Sequence, residues 1–304
     1  MRNTLLTCLL LGGALPVMAQ TYDNCGQTWT LDHAPQRIIA LNQHSADTLL
    51  ALGAGPSLIG VAYIDDDGQA IEHGTYRGIP VISQLYPSAE VLYTQRADLL
   101  VGGFASAFRQ HMSSRPVLAD NGVASYLLES ACEGHSLDYF GHIRRDLHTL
   151  GALVQRPDQA LALSAALDAD LARAGALRST EKPLSVFYLD SEVNGLDSEG
   201  KRGFVSTLLE AAGARNTFAD VDVARLMVSS ETLLKYDPDV ILLADAVWSP
   251  ASRKRYLLKH DPALSQLRAV KANRIIDIPF AHLLPTPTSG QVVLELTRKL
   301  NALD

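Results

Sequence analysis

The chain has little cysteine, three residues in 304, and Cys8 lies in a leader-like start, which leaves Cys25 and Cys132 for the folded part. Two isolated cysteines are a poor basis for a metal site. In an oxidising compartment they most simply form one disulfide, with two buried free thiols as the alternative. The sequence has no run of basic residues and a net charge of −7, which argues against nucleic acid or an anionic membrane as the main partner. Beyond the first residues no apolar stretch is long enough to cross a bilayer, and no low-complexity segment interrupts the chain. Neither Gly-x-Ser-x-Gly nor His-Glu-x-x-His occurs, and no catalytic triad can be assembled from spacing. An exported hydrolase is therefore the least favoured function, and the chain is not expected to be an enzyme.

What is present begins with an export pattern. Arg2 supplies a charged start, Leu5 to Leu11 an apolar stretch too short to span a membrane, and Val17-Met18-Ala19 a small-residue cleavage site. Residues 1–19 are expected to be a cleavable signal peptide and the mature protein to be periplasmic. Cys8, inside the apolar stretch and preceded by Thr7, is a poor candidate for lipid attachment. About 285 residues remain, enough for two modest α/β lobes with their own cores.

One phrase is said twice. Ser88-Ala89-Glu90-Val91-Leu92, followed by Asp98-Leu99-Leu100-Val101, is echoed by Ser229-Ser230-Glu231-Thr232-Leu233, followed by Asp239-Val240-Ile241-Leu242. Upstream, Leu49-Leu50-Ala51-Leu52-Gly53-Ala54 is echoed by Leu208-Leu209-Glu210-Ala211-Ala212-Gly213-Ala214. Long-period self-similarity of this kind indicates two lobes built alike.

Short β-type runs at 37–41, 58–62, 80–82, 99–103 and 124–128 alternate with helical patterns in the first half. Among these are helices at 45–52 and near 108–121, which favours a mainly parallel sheet. Residues 135–153 are helical by spacing. Pro157 then opens a second helix whose stripe of Leu163, Leu167, Leu171 and Ala174 runs to about Arg178. Strands at 184–189, 239–244 and 274–278 and helices at 203–212, 252–259 and 288–302 complete the chain. The expected fold is α/β, with a lobe over 20–156, a linking helix over 157–178, a similar lobe over 179–304, and a ligand cleft between them.

With the doubled Ser-x-Glu phrase, the Arg37-Ile38-Ile39-Ala40-Leu41 strand and the Pro157–Arg178 helix before Leu184, the chain resembles a known group. This is the helical-backbone (class III) substrate-binding proteins of ABC importers for ferric siderophores, haem and cobalamin. The resemblance covers nearly the whole mature chain. It implies that Glu90 and Glu231, one on each lobe, pair with arginines of an inner-membrane permease. Each is also well placed to offset the dipole at a helix start. Family binding positions match best at Tyr63, Gln84 and 280–282. At Gln84 the cobalamin-binding members carry tryptophan, which counts against cobalamin.

In open α/β sheets ligands collect beyond the carboxyl ends of strands. Those positions hold Asn42, Gln43, His44, Tyr63, Gln84, Tyr86, Phe104, Phe108 and Arg109 in the first lobe. The second offers Tyr188, Asp190, Arg202, Trp248, Phe280 and His282. Aromatic faces suit a large, partly apolar chelate, and the polar groups can bond its oxygens. The few cations at these positions favour a ferric siderophore of hydroxamate or mixed peptide type over a highly charged catecholate. Cobalamin and haem are alternatives on the same fold. Direct capture of Zn²⁺ or Mn²⁺ would use some of His44, His111, His135, His142 and His282, but no His-x-x-x-His pair occurs. Gly195-Leu196-Asp197-Ser198-Glu199-Gly200-Lys201 begins like a phosphate-binding loop, then has Arg202 where Ser or Thr should stand. No cofactor is expected, and the protein is expected to act as a monomer.

Overall fold

The computed structural model describes residues 19–65, 68–109, 113–179 and 182–303; the expected signal peptide through Met18, and His111, lie outside the described residues. A hairpin comes first, β1 (Gln20–Asn24) and β2 (Gln27–Leu31), paired antiparallel. The first lobe continues with β3 (Ile38–Ala40), α1 (Gln43–Ala51), β4 (Leu58–Ala62), α2 (Gly68–His73) and β5 (Val81–Ser83). After these come α3 (Ala89–Gln95), β6 (Leu99–Gly102), α4 (Arg115–Asp120), β7 (Ala124–Leu127) and α5 (Tyr139–Leu153). Its sheet is parallel in the order β5-β4-β3-β6-β7.

The helix α6 (Pro157–Leu177) leads to the second lobe, which opens with β8 (Ser185–Leu189), β9 (Leu196–Glu199), α7 (Phe204–Ala211), β10 (Arg215–Asn216) and β11 (Arg225–Val228). It closes with α8 (Ser230–Tyr236), β12 (Val240–Asp245), α9 (Ala251–His260), α10 (Arg268–Lys271), β13 (Ile275–Pro279) and α11 (Ser289–Asn301). Here β10-β8-β12-β13 form a parallel sheet, and β9 pairs with β11 in a separate antiparallel ribbon. The central strands are apolar and buried along their length because helices cover both faces of a parallel sheet.

The doubled phrase has a structural basis. Ser88 and Ser229 each accept a hydrogen bond from the backbone N–H three residues on, capping α3 and α8. Both helices are seven residues long and end in a left-handed residue, Arg96 and Asp237. The aspartate that follows clamps the start of the neighbouring strand. Asp98 accepts from the Gln36 and Arg37 N–H groups at 2.8 and 3.0 Å, and Asp239 from that of Ser185 at 2.9 Å. The upstream echo is a matched helix ending, in which Ala54 N–H reaches Leu49 O and Ala214 N–H reaches Leu209 O, both at 2.9 Å. Gly53 and Gly213 supply the positive φ that each ending needs.

Both lobes lean on α6. A Cβ at Gly151 of α5 would lie 2.5 Å from the Ala160 Cβ, and one at Gly290 of α11 would lie 2.8 Å from the Leu167 carbonyl oxygen. Glycine at these points lets a helix from each lobe approach α6 closely. One apolar cluster therefore runs unbroken through Ile38, Val101, Leu147, Leu150, Leu167, Leu296, Val293 and Leu242. Each sheet also has an outer cluster of its own. Cys25 and Cys132 are joined in a disulfide that ties the hairpin turn to the segment after β7.

Several expectations need adjustment. The helix expected near 108–121 is only α4, preceded by a 3-10 turn at Ala105–Phe108, because Pro116 starts a helix and cannot continue one. The helix expected from His135 begins at Tyr139, where Asp138 caps it through the Gly141 N–H. The segment resembling a phosphate loop is largely strand β9. The Glu199 carboxylate accepts from Val205 N–H at 2.8 Å and so occupies the anion position at the start of α7.

Candidate functional site

The carboxyl ends of the strands in each sheet build one wall. In the first lobe Asn42 leaves β3 in extended conformation, with φ −153. Its Oδ1 accepts from the Gly103 and Phe104 N–H groups at 2.9 and 3.3 Å, fastening the end of β3 to the end of β6. Its Nδ2 donates to the Tyr86 hydroxyl at 3.0 Å, which lies 2.9 Å from Ser106 Oγ. The Tyr86 ring meets Tyr63 edge to face at 5.1 Å. Tyr63 has φ 51, a conformation costly for a bulky residue. Its N–H donates to Ser83 O at 3.2 Å, holding the turn after β4 against β5.

His44 lies at the start of α1, buried and edge-on to Phe104 at 4.5 Å. A Cβ at Gly103 would fall 2.1 Å from its Nε2, so only glycine fits there. Burial pushes the imidazole down to about 4, against a raising contribution from the Gly103 backbone, and Nδ1 has no partner among the described residues. The ring is neutral in the native state, whereas the unfolded chain takes up a proton below its ordinary value of 6.5. The contribution is complete above pH 6.5 and is lost as pH falls through 4, amounting to roughly 3 kcal/mol. In urea unfolding at pH 7 and pH 4, His44→Gln is expected to remove about that much of the difference. An equal acid loss in both proteins would contradict this assignment.

In the second lobe Asp190 follows β8 and is buried. One carboxylate oxygen accepts from the Tyr188 hydroxyl at 2.8 Å, and the other pairs with Arg225, which also pairs with Asp197. The Arg225 side chain stays 53% exposed, so a guanidinium fixed by two carboxylates still faces solvent. Elsewhere in this lobe Trp248 meets Phe280 edge to face at 5.6 Å. The loop carrying Trp248 is tightly held. Lys254, fully buried on α9, donates to the Ala244 and Ser249 carbonyls, Arg253 donates to Trp248 O at 3.2 Å, and Ser249 Oγ donates to Glu192.

The expected site residues fall into three groups. Tyr63, Tyr86 and Phe104 of the first wall, and Trp248 and Phe280 of the second, are partly exposed aromatic groups at strand ends, with Gln84, Arg109 and His282 exposed nearby. His44, Phe108 and Tyr188 are buried: Phe108 packs with Leu100 and Leu118, and Tyr188 lies inside its lobe with only its hydroxyl tied to Asp190. Arg202 pairs with Asp222, while its backbone carbonyl accepts from the Tyr139 hydroxyl at 2.7 Å, a direct link between lobes. Sequence reasoning missed Arg225. It stands four residues before Ser229, as Gln84 stands four before Ser88, so the repeat itself marked it. Glu90 and Glu231 are both exposed in the first turns of α3 and α8. Among the described residues no three His, Cys, Asp or Glu side chains are grouped to hold a metal ion, and no helix is long and apolar enough to cross a membrane.

The sequence profile of a family described as periplasmic binding protein matches residues 38–281. An uncharacterized ABC transporter substrate-binding lipoprotein, YvrC, of Bacillus subtilis is 21% identical over 259 residues, covering 84% of this chain and 76% of that one. An achromobactin-binding periplasmic protein of Dickeya dadantii is 24% identical over 282 residues, covering 89% and 84%. The structure of an ABC-type Fe3+-hydroxamate transport system protein from Saccharomonospora viridis aligns with TM-score 0.75 at 26% identity, covering 93% of this chain and 99% of that one.

Proposed function

The chain belongs to the periplasmic binding protein family, and from that membership we propose that it captures a ferric siderophore of hydroxamate or mixed peptide type for an ABC importer. Residues 1–19 direct export and are cleaved. The lobes over 20–156 and 179–304, joined by the 157–178 helix, hold the chelate between them. Glu90 and Glu231 then dock the loaded protein on the permease.

The observation that supports this reading is that strand ends in both lobes carry partly exposed aromatic groups together with donors for oxygen. Tyr63, Tyr86, Phe104, Trp248 and Phe280 supply the faces; Gln84, Arg109, Arg202, Arg225 and His282 supply the donors. His44, Phe108 and Tyr188 stand behind them as support. Arg225 is offset by Asp190 and Asp197, so this wall gains no excess positive charge from it and suits a chelate of low net charge. The donor types present favour a metal that arrives already chelated over a bare ion. The achromobactin-binding relative and the Fe3+-hydroxamate neighbour are consistent with an iron chelate.

The chain has two tryptophans, so Trp29→Phe isolates Trp248 as the reporter. A ferric trihydroxamate is expected to quench its fluorescence saturably at micromolar concentration or below. Arg225→Ala is expected to weaken that binding about 10- to 100-fold, the range for losing a charge-assisted hydrogen bond. Quenching by Zn²⁺ alone, with no response to the ferric chelate, would overturn the proposal.

A further inference from the structure

Cleavage after Val17-Met18-Ala19 would leave Gln20 as the amino-terminal residue. Gln20 is also the first residue of β1, opposite Leu31, so the fold starts at the cut with no linker before it. An amino-terminal glutamine carries a nucleophile and an electrophile on one short chain. Its α-amino nitrogen and its side-chain carbonyl carbon, Cδ, can close a five-membered lactam, and connectivity alone keeps the two within reach. Nothing in the structure ties the side chain elsewhere: it is partly exposed, and its amide makes no hydrogen bond among the described residues. It borders an open hollow of about 500 Å³ with Arg144, Arg145 and His148, which leaves room for the amide to turn back and for ammonia to depart.

The surroundings offer an ammonium no dedicated partner. Asp23 accepts from the Thr28 hydroxyl at 2.6 Å, Asp168 pairs with Arg144, and Glu129 faces Arg145. Removing the terminal charge therefore breaks no ion pair among the described residues. A lactam nitrogen keeps one hydrogen, so β1 retains a donor opposite Leu31. We propose that Gln20 is a modification site: after export its α-amino nitrogen attacks its own Cδ, the Cδ–Nε2 bond breaks, and ammonia leaves with one amine proton. One carbon–nitrogen bond replaces another, so no oxidant or co-reactant is required. The mature chain then begins with a neutral pyroglutamyl ring and presents no α-amino group to an aminopeptidase. The inference rests on the export reading above and adds to it the chemical state of the new end.

The test takes mature protein from the periplasm, holds it for several days at neutral pH, and records its intact mass and its reaction with an α-amine label. The parent is expected to have the mass of residues 20–304 in disulfide form less one ammonia, and to take no label at its terminus. Gln20→Asn keeps a side-chain amide that could close only a strained four-membered ring. This variant is expected to be cut at the same bond, to keep its ammonia and to take the label. Parent protein that starts at Gln20 with full mass and a labelled amine refutes the inference and leaves the export reading intact. Protein that starts at any other residue overturns the cleavage site, and the inference with it. Ammonia lost equally from parent and variant places the reaction at another residue and also refutes the inference.

Discussion

The double variant Glu90→Ala/Glu231→Ala is expected to bind its chelate with the parent's affinity and to support no uptake. The two carboxylates stand on separate lobes, each exposed in the first turn of a short helix fixed by a serine cap and followed by an aspartate clamp. Glu231 is held below the usual carboxylate range by its own backbone N–H and by Ser229, so it is ionised at neutral pH. An exposed ion pair contributes only about 0–1 kcal/mol. Strength of attachment is therefore not the main loss. In the proposed docking role two fixed charges on opposite lobes would define how the protein is presented to the membrane partner, and removing both would take away that orientation. Each single variant is expected to transport at an intermediate rate, and the complex to weaken with salt as screening shortens the reach of exposed charges. Chelate uptake in cells carrying only the double variant is the deciding measurement; transport at the parent's rate would refute the assignment.

Cys25→Ala/Cys132→Ala is expected to lose about 4–5 kcal/mol of stability while binding the chelate normally. The bond spans a sequence separation of 107, and closing so long a loop removes much of the unfolded chain's freedom, on the order of 4–5 kcal/mol in the chain-entropy model. The hairpin it secures has other ties: Tyr22 hydroxyl to Ser125 O at 2.7 Å, Asn24 Nδ2 to Leu127 O at 2.8 Å, and Leu127 N–H back to Asn24 Oδ1 at 2.9 Å. Arg115 also lies 4.2 Å from the centre of the Trp29 ring. These contacts keep the hairpin docked in the native state, so the loss belongs mainly to the unfolded state. Urea unfolding of the oxidised parent and the variant measures it directly, and a difference under about 1 kcal/mol would contradict the entropic account.

The repeat made much of this architecture legible. Ser88 and Ser229 are local signals, each capping its own helix, and local signals survive in a single sequence; Asp98 and Asp239 were legible only as part of the repeated phrase, since the strands they clamp lie more than 50 residues upstream. Apolar runs such as Leu99-Leu100-Val101 and Val240-Ile241-Leu242 marked buried parallel strands for the same reason. The antiparallel ribbon of β9 and β11 escaped because Arg225-Leu226-Met227-Val228 has no clean alternation, and its pairing with Leu196–Glu199 is long-range. Arg225 escaped with it. Strand ends point to loops but not to side-chain direction, which is why Phe108 and Tyr188 read as ligand contacts while their rings pack inward. The Trp248 loop owes its rigidity to Lys254, a buried lysine whose exposed-looking sequence context, Ser252-Arg253-Lys254-Arg255, gave no hint of burial.

The apolar cluster that passes through α6 also decides what the duplication has become. Two halves that repeat each other's caps and clamps keep an outer cluster each but share the inner one: Leu147 and Leu150 from one side and Val293 and Leu296 from the other are sealed by the same helix. An excised half would expose a raw seam in place of a surface. The caps and clamps come in pairs, while the inner faces of both lobes are buried against one helix, so neither half could keep its inner core alone.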